Sequence, residues 1–238
     1  MTRTLGLGLI AGLLVSLGAG AAEKTPREAL QACHDLIGEW KGTGKPYFGT
    51  REEQQKGFWV ETIDWQWKFK GKDAWLRADV KKGKYYTAFE LRYLPKKGVY
   101  ELKAMTVGKE TKTFEGKLRE NRLKLERTND KTKEGERLVF SLLHSNRHLL
   151  TYWARGKDKA DFTQVYQIGA TKQGVPFAEE GEKVECIVSG GLGTMPVTYK
   201  GKTYYVCCTG CRDAFKEDPE KYIKEYEEAQ KKKKAKKD

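Results

Sequence analysis

Alternation of apolar and polar residues over most of the chain is the feature that most restricts its fold. Between Phe58 and Phe69, one face of an extended segment carries Trp59, Ile63, Trp65, Trp67 and Phe69. The same pattern returns, with turn residues between the segments, at 85–93, 99–107, 122–128, 136–143, 148–154 and 162–168. A period of two marks half-buried antiparallel strands, and no helical period interrupts it. The pattern predicts roughly eight to ten strands in an up-and-down barrel or a sandwich, not a parallel α/β sheet.

Composition excludes two broad classes of protein. The 238 residues are 33% charged and 38% hydrophobic, and they include 12 Tyr, 9 Phe and 6 Trp. The high charge and a mean hydropathy of −0.74 exclude a polytopic membrane protein. The aromatic residues supply enough apolar surface for real cores, which excludes a fully disordered chain. Five Cys are too few for a scaffold held together by disulfides. The fold must therefore be stabilised by ordinary hydrophobic cores.

The first 21 residues are predicted to be a targeting sequence. Arg3 is the only charged residue among the first 22, and the apolar run Leu5–Leu17 is followed by Ala19-Gly20-Ala21. A basic start, a short apolar run and an A-x-A end are typical of a cleavable secretory signal peptide. An uncleaved membrane anchor is the alternative. We expect the mature chain to begin near Ala22 and to be secreted or periplasmic.

Positive charge is concentrated at the C terminus. The whole chain has a formal net charge of +13, and residues 231–238 contain six Lys and one Asp. We expect these residues to form a disordered Lys-rich tail that makes at most weak contact with an anionic surface. Because a secreted chain rarely meets nucleic acid, we expect no nucleic-acid partner.

The first strand of the alternating region opens with a G-x-W triplet. It reads Leu-Ile-Gly-Glu-Trp-Lys-Gly-Thr-Gly over residues 36–44, and a Trp at this place commonly closes one end of a barrel. Here the chain resembles the lipocalin-like (calycin) barrels, in particular small secreted bacterial families of unknown function. The resemblance covers about 135 residues and implies an antiparallel barrel. It also implies a hydrophobic ligand or haem inside the barrel as one candidate partner.

Histidines and one further cysteine offer weaker signals. His144 and His148 flank a predicted hairpin turn, where they would face each other and could share a metal, although surface histidines are the commoner case. Cys33 and His34 fall in a short helix predicted from Pro26 to Leu36. Cys33 is expected to be a buried or free thiol, with pairing to Cys208 as the alternative.

The residues that carry chemistry lie near the C terminus. Cys186, Cys207 and Cys211 form a C-x20-C-x3-C pattern, and Cys208 adds a fourth thiol. A hairpin about Gly201-Lys202 is predicted to deliver Cys207 to the start of a helix, whose first turn presents Cys211 on the same face. Cys186 can fold back onto that pair. The N–H groups at a helix N terminus lower thiol pKa values, and soft thiolates suit Zn²⁺ or Cu⁺.

A family resemblance adds to this spacing. The hairpin reads Tyr-Lys-Gly-Lys-Thr-Tyr-Tyr, and Phe215 and Asp218-Pro219-Glu220-Lys221-Tyr222 follow it. With these residues, the segment from Cys186 to Tyr226 closely resembles the YHS/TRASH family of small metal-binding domains. The resemblance implies a Zn or Cu ion as cofactor. The family's first motif is commonly C-P-V or C-G-M, so the Pro is missing here, and Cys208 is either a fourth ligand or an outward-facing thiol.

Other interpretations of the thiols remain open. Cys208 and Cys211 form a C-x-x-C pair at a helix start, which in a thioredoxin-like context would be redox-active, but no βαβ pattern precedes it. A structural disulfide and an inert remnant of a metal site are further alternatives. Gly201-Lys202-Thr203 ends like a phosphate loop, yet Pro196 stands where that loop requires Gly. We therefore expect no enzymatic activity.

Together these features predict a mainly β protein with two domains. Its parts are a signal peptide (1–21), a lipocalin-like antiparallel barrel (22–170), a linker (171–181), a small α+β, ββα-like, YHS/TRASH-like module (182–230) and a tail (231–238). The expected function is extracytoplasmic Zn or Cu binding as a sensor, carrier or chaperone. One alternative is a barrel that binds a hydrophobic ligand or haem, with a structural Cys module. Another is a thiol-redox protein that uses Cys208 and Cys211.

Overall fold

The computed structural model describes residues 23–174 and 184–235. The predicted signal peptide lies outside these residues, as do residues 175–181 of the predicted linker and the last three residues of the predicted tail. Among the helices of the described ranges, none combines the length and the apolar character needed to cross a lipid bilayer.

Ten antiparallel strands confirm the predicted barrel. They are β1 (Gly38–Pro46), β2 (Trp59–Lys70), β3 (Asp73–Lys81), β4 (Tyr86–Leu94), β5 (Val99–Thr106), β6 (Thr111–Arg119), β7 (Arg122–Thr128), β8 (Gly135–His144), β9 (Arg147–Arg155) and β10 (Thr163–Lys172). Each strand pairs with the next along the chain, and β10 pairs with β1 to close the barrel. Closure leaves no free strand edge, which decides between the barrel and the sandwich.

Aromatic side chains fill the middle of the barrel. Trp65 stacks on Phe89 with ring centroids 5.9 Å apart, and Phe140 meets both rings edge-on at 6.0 Å. All three come from alternate, inward-facing positions of their strands, as period-two patterning requires. Burying one such side chain contributes about 1.5–3 kcal/mol. The central section is therefore a packed core.

A short N-terminal segment covers one end of the barrel. Helix α1 (Pro26–Gln31) begins with a capping box, in which Thr25 and Glu28 satisfy each other's backbone N–H groups. A 3₁₀ turn (His34–Leu36) follows, so the predicted helix is divided in two. The hydroxyl of Tyr100 donates a hydrogen bond to the Ala29 carbonyl at 2.7 Å. The buried Trp40 ring donates to the Leu36 carbonyl at 2.7 Å and closes this end, as its position predicted.

The C-terminal module consists of a hairpin and two helices, which confirms the predicted fold class. Strands β11 (Met195–Tyr199) and β12 (Lys202–Val206) turn through Lys200 and Gly201, both in the left-handed region. The turn lies one residue earlier than the predicted Gly201-Lys202, because Lys202 already pairs with Tyr199 in the hairpin. Helices α3 (Thr209–Glu217) and α4 (Pro219–Lys234) follow, while α2 (Arg51–Lys56) lies in the β1–β2 connection. Asp218 caps α4 by accepting the Lys221 N–H at 3.2 Å.

Two predicted boundaries differ from the structure. Strand β10 continues to Lys172, two residues beyond the predicted end of the barrel domain at 170. Helix α4 continues to Lys234, so residues 231–234 of the predicted disordered tail are helical. The Lys run extends the helix because Lys is a good helix former and its charge suits the C-terminal end of the helix dipole.

The module packs on the end of the barrel that α1 covers. A Cβ on Gly210, in the first turn of α3, would lie 1.9 Å from the Trp67 carbonyl oxygen, so only glycine permits this approach to β2. Arg27 of α1 pairs with Glu225 of α4 at 2.6 Å and also donates to the Val188 carbonyl. The same packing brings the cysteine-containing loop against the barrel.

Candidate metal centre

Cys186 is held in a tight loop that precedes β11. Its N–H donates to the Gly191 carbonyl at 2.6 Å, and its carbonyl accepts the Gly190 N–H at 2.8 Å. The Ile187 N–H donates to the Tyr205 carbonyl at 2.9 Å, which ties this loop to β12. The loop therefore returns the Cys186 thiol to the end of the hairpin.

The other three thiols lie where β12 leads into α3. Cys207 directly follows the strand, and Cys208 is the N-cap residue of α3, with an extended backbone. Cys211 lies in the first turn of α3, and the Arg212 N–H donates to the Cys208 carbonyl at 3.0 Å. The predicted hairpin and helix thus supply these positions.

Three of the four sulfur atoms converge. The Sγ atoms of Cys186, Cys207 and Cys211 all lie within 4.8 Å of one another, and those of Cys207 and Cys211 are 3.4 Å apart. Cys186 and Cys211 are fully buried, and Cys207 is 9% exposed. All five cysteines of the chain lie in the described residues and have free thiols. The structure therefore forms neither the alternative Cys33–Cys208 pair nor another disulfide.

Hydrogen bonds among the thiols set their proton affinities. Bonds from Cys207 and Cys211 hold the pKa of Cys186 far below its usual value, and those two thiols also lower the pKa of Cys208. As the donor to Cys186 and Cys208, Cys207 has a raised pKa. Burial, followed by the same kind of donation, raises the pKa of Cys211. The cluster thus stabilises negative charge at the N terminus of α3, where the helix dipole also favours it.

Cys208 occupies a different position from the other three. Its thiol interacts with Cys207 and Cys211, but its sulfur is not part of the mutual group within 4.8 Å. With Cys207, His34 and Lys172, it lines a cleft of about 330 Å³ between the module and the barrel end. Cys208 is therefore placed between the three-sulfur group and this cleft.

Ser189 and His34 support the centre, and sequence reasoning assigned neither of them to it. The Ser189 N–H donates to Cys186 Sγ at 3.4 Å, and its hydroxyl lies 3.4 Å from Cys207 Sγ. His34 Nε2 accepts the Leu192 N–H at 3.0 Å and so fixes the loop that carries Cys186. Serine in C-x-x-S spacing was visible in the sequence. The contact with His34 depends on packing between distant segments.

The suggested His144–His148 metal pair is wrong. In the β8–β9 hairpin, His148 pairs with Leu142 and His144 pairs with Arg147. His148 points into the barrel, where its ring lies 4.3 Å from the ring of Trp40, and burial lowers its pKa to about 3. His144 is exposed at the turn. The turn contains only Ser145 and Asn146, and a β-bulge between Leu142 and His144 shifts the register by one further residue.

Comparison with known families bears on the module. Residues 195–226 match the family described as YHS domain. The matched YHS segment contains Cys207, Cys208 and Cys211, whereas Cys186 joins the group through the fold alone. A YHS domain together with three converging thiols indicates metal binding.

Comparison of whole chains adds little. No curated protein matches the sequence. Among solved structures, the one described as EF1p2_mFAP2b bound to DFHBI is 12% identical and has a TM-score of 0.24. The similarity covers 61% of this chain and 99% of that chain. The barrel is therefore assigned from its own strand order.

Proposed function

We propose that this protein binds a soft heavy-metal ion, Zn²⁺ or Cu⁺, outside the cytoplasm. It acts as a carrier, chaperone or sensor for this ion. The observation that carries this proposal is the convergence of the Cys186, Cys207 and Cys211 sulfurs within 4.8 Å of one another. The predicted signal peptide supports the extracytoplasmic location.

The sulfur spacing fits such an ion. A Zn–S bond of about 2.3 Å in tetrahedral geometry separates neighbouring sulfurs by about 3.8 Å. The Cys207 and Cys211 sulfurs are 3.4 Å apart, and all three lie within 4.8 Å of one another, so small side-chain movements suffice. The Ser189 N–H and hydroxyl already orient two of the three sulfurs, as supporting groups around metal ligands do. A bound ion would supply positive charge in exchange for the thiol protons.

The surroundings favour transport of an ion over a purely structural site. Tyr199 and Tyr204 of the β11–β12 hairpin contact Phe215 of α3 with ring centroids 6.3 and 5.6 Å apart, so the module has packing of its own. A second observation is the cleft beside Cys207 and Cys208, which gives the thiols an approach from solvent. Three thiolates also leave a coordination position for an incoming ligand. We assign the centre to binding of the ion, not to catalysis.

The test is elemental analysis of the mature chain from Ala22, purified and reconstituted with Zn²⁺ or Cu⁺ under reducing conditions. We expect about one ion per chain, as a single three-thiolate site requires. Cys186→Ser, Cys207→Ser and Cys211→Ser should each lose most of it. Cys33→Ala is the matched control, because Cys33 is equally buried but lies outside the three-sulfur group.

Circular dichroism of each variant would show that the barrel remains folded. A wild-type protein that binds no ion after reconstitution, with its thiols recovered in disulfides, would contradict the proposal. Equal loss of the ion in the Cys33→Ala variant would contradict the assignment to this centre.

A further inference from the structure

A second cleft lies at the other end of the barrel. In a barrel with strands paired in chain order, the β3–β4, β5–β6 and β9–β10 connections leave from one end, and the module covers the opposite end. At the first end, a cleft of about 350 Å³ is lined by residues that include Tyr86, Lys112, Tyr152 and Tyr166. These residues come from β4 and β6 on one side and from β9 and β10 on the other. Because those pairs of strands are not neighbours, the cleft spans the barrel mouth.

Stacked aromatic rings form one wall of this mouth. Tyr166 stacks on Tyr85 with ring centroids 4.3 Å apart and on Tyr152 at 5.0 Å. Trp59 meets Tyr85 and Tyr166 edge-on at 5.4 and 5.8 Å. The Lys84 ammonium lies 4.8 Å from the centroid of Trp59. Tyr85 is only half-buried, and the Lys84 ammonium also lies 5.7 Å from its ring centroid, so an accessible aromatic ring and a cation adjoin each other here.

Charged side chains point into the barrel directly beside this stack. Glu136 accepts hydrogen bonds from Lys112 at 2.7 Å and from the Tyr152 hydroxyl at 2.9 Å, and it also pairs with Arg127. Burial alone would raise the pKa of Glu136, but these donors hold it below the usual value. Lys112 and Arg127 therefore share the Glu136 carboxylate, and the three side chains together keep a net positive charge.

Two further acids lie near this group of charges. Glu61 accepts a hydrogen bond from the Trp59 ring at 2.8 Å, and burial raises its pKa, which favours the neutral acid. Glu110 lines the cleft but is exposed, so solvent and salt screen its charge. Ion pairs inside a barrel are costly to desolvate and contribute little to folding. Their presence above an apolar core therefore needs another explanation.

We propose that the barrel mouth binds a planar aromatic molecule that carries an anionic group. Its ring stacks on the half-buried Tyr85, and its anionic group approaches Lys112. Trp65, Phe89 and Phe140 fill the barrel below, so the ligand lies in the mouth and does not enter the core. A volume of about 350 Å³ is at the small end of the range for ligand sites and suits a few fused or linked rings.

The exposed apolar rim supports this assignment. Tyr47, Phe48 and Phe58 of the β1–β2 connection and Val107 of the β5–β6 connection are each 48–53% exposed. Both connections leave the barrel at the mouth end. Large exposed apolar side chains at the same end of the barrel as a cleft are typical of a binding site.

The test uses two probes that share one ring system. 8-Anilinonaphthalene-1-sulfonate is anionic, and N-phenyl-1-naphthylamine is its neutral counterpart. Isothermal titration calorimetry of the mature chain should show saturable binding of about one sulfonate per chain. The sulfonate should bind roughly tenfold more tightly than the neutral amine, because a charge-assisted contact is worth about 1.4 kcal/mol or more. Lys112→Met should remove this preference. Lys117→Met is the matched control, since Lys117 lies on the outer face of the same strand, β6.

Each outcome decides the proposal. Equal affinities for the two probes, or equal effects of Lys112→Met and Lys117→Met, would overturn it. Arg127 still pairs with Glu136 in the Lys112→Met variant, so we expect that variant to fold. Should it not fold, Tyr85→Leu provides the second test. It should weaken both probes at least about fivefold, in line with loss of an aromatic contact, and unchanged binding would then overturn the proposal.

Discussion

Cys207 and Cys208 are neighbours in the sequence, yet their sulfurs have different surroundings. The Cys207 sulfur is 3.4 Å from Cys211 and from the Ser189 hydroxyl, whereas the Cys208 sulfur is outside the three-sulfur group. The extended backbone of Cys208 at the helix cap turns its side chain away from that of Cys207. Position in the chain therefore does not decide which of the two residues is a ligand.

Cys208→Ser is expected to keep about one ion per chain, since the three converging thiols remain. Cys207→Ser should lose most of it. The measurement is elemental analysis after dialysis against a weak chelator. Equal loss in both variants would instead identify a four-sulfur site.

The buried imidazole of His148 predicts how stability depends on pH. Its pKa in the folded protein is about 3, and the unfolded value is about 6.5. Between these values the unfolded chain binds one more proton, so the contribution to stability is complete above about pH 6.5. It then falls by up to about 1.4 kcal/mol per unit as pH decreases.

Urea unfolding at pH 7.0 and 5.5 measures this effect. His148→Leu should reduce the fall in midpoint between the two pH values, while the exposed His144→Asn should leave it unchanged. An identical pH slope in wild type and His148→Leu would contradict the prediction.

Among the elements, strands with large alternating side chains were predictable and two others were not. Strand β3 places Ala74 and Ala78 at inward positions, and β6 places Lys112 and Gly116 there, so neither has a strong apolar period. Gly116 is required because a Cβ would lie 1.8 Å from the Lys124 carbonyl oxygen of β7. Helix α2 has no buried residue at all and is stabilised mainly by its Thr50 capping box. These elements form because of their neighbours and caps.

The close approach of α3 to β2 depends on Gly210. Gly210→Ala should destabilise the protein by about 1–3 kcal/mol, because its Cβ would overlap the Trp67 carbonyl and force the helix outward. Thermal unfolding is the measurement. Gly169→Ala is the control, since a Cβ there meets nothing within 4 Å, and equal losses in the two variants would contradict the argument.

In the whole molecule, α1 joins the barrel to the module. Tyr100 holds α1 on the barrel, while Arg27 reaches Glu225 and the Val188 carbonyl in the module. Gln31 donates to the Ser189 carbonyl next to the thiols. The N-terminal segment therefore sets the position of the loop that carries Cys186.

We expect Arg27→Ala to increase amide hydrogen exchange in α4 and in the 184–194 loop, with little change in the barrel. Arg27 is part-buried and contacts Glu225 and the Val188 carbonyl, both in the module. Its loss therefore weakens only the interface between α1 and the module. Lys97→Ala is the control, because its pair with Glu115 is exposed and contributes about 1 kcal/mol or less. Uniform exchange throughout the chain would contradict the prediction.

The sequence by itself determined the elements whose signals are local. Alternation at residues 58–69 and 85–93 indicated barrel strands, and the spacing of Cys207 and Cys211 after a hairpin indicated two thiols at a helix start. The tertiary structure decided what depends on contacts between distant segments. It closed β1 on β10, returned Cys186 to the other two thiols, separated His148 from His144 and placed Lys112 beside the tyrosine stack. Periodicity reports which face of a segment is buried, whereas convergence of side chains requires the packing of the whole chain.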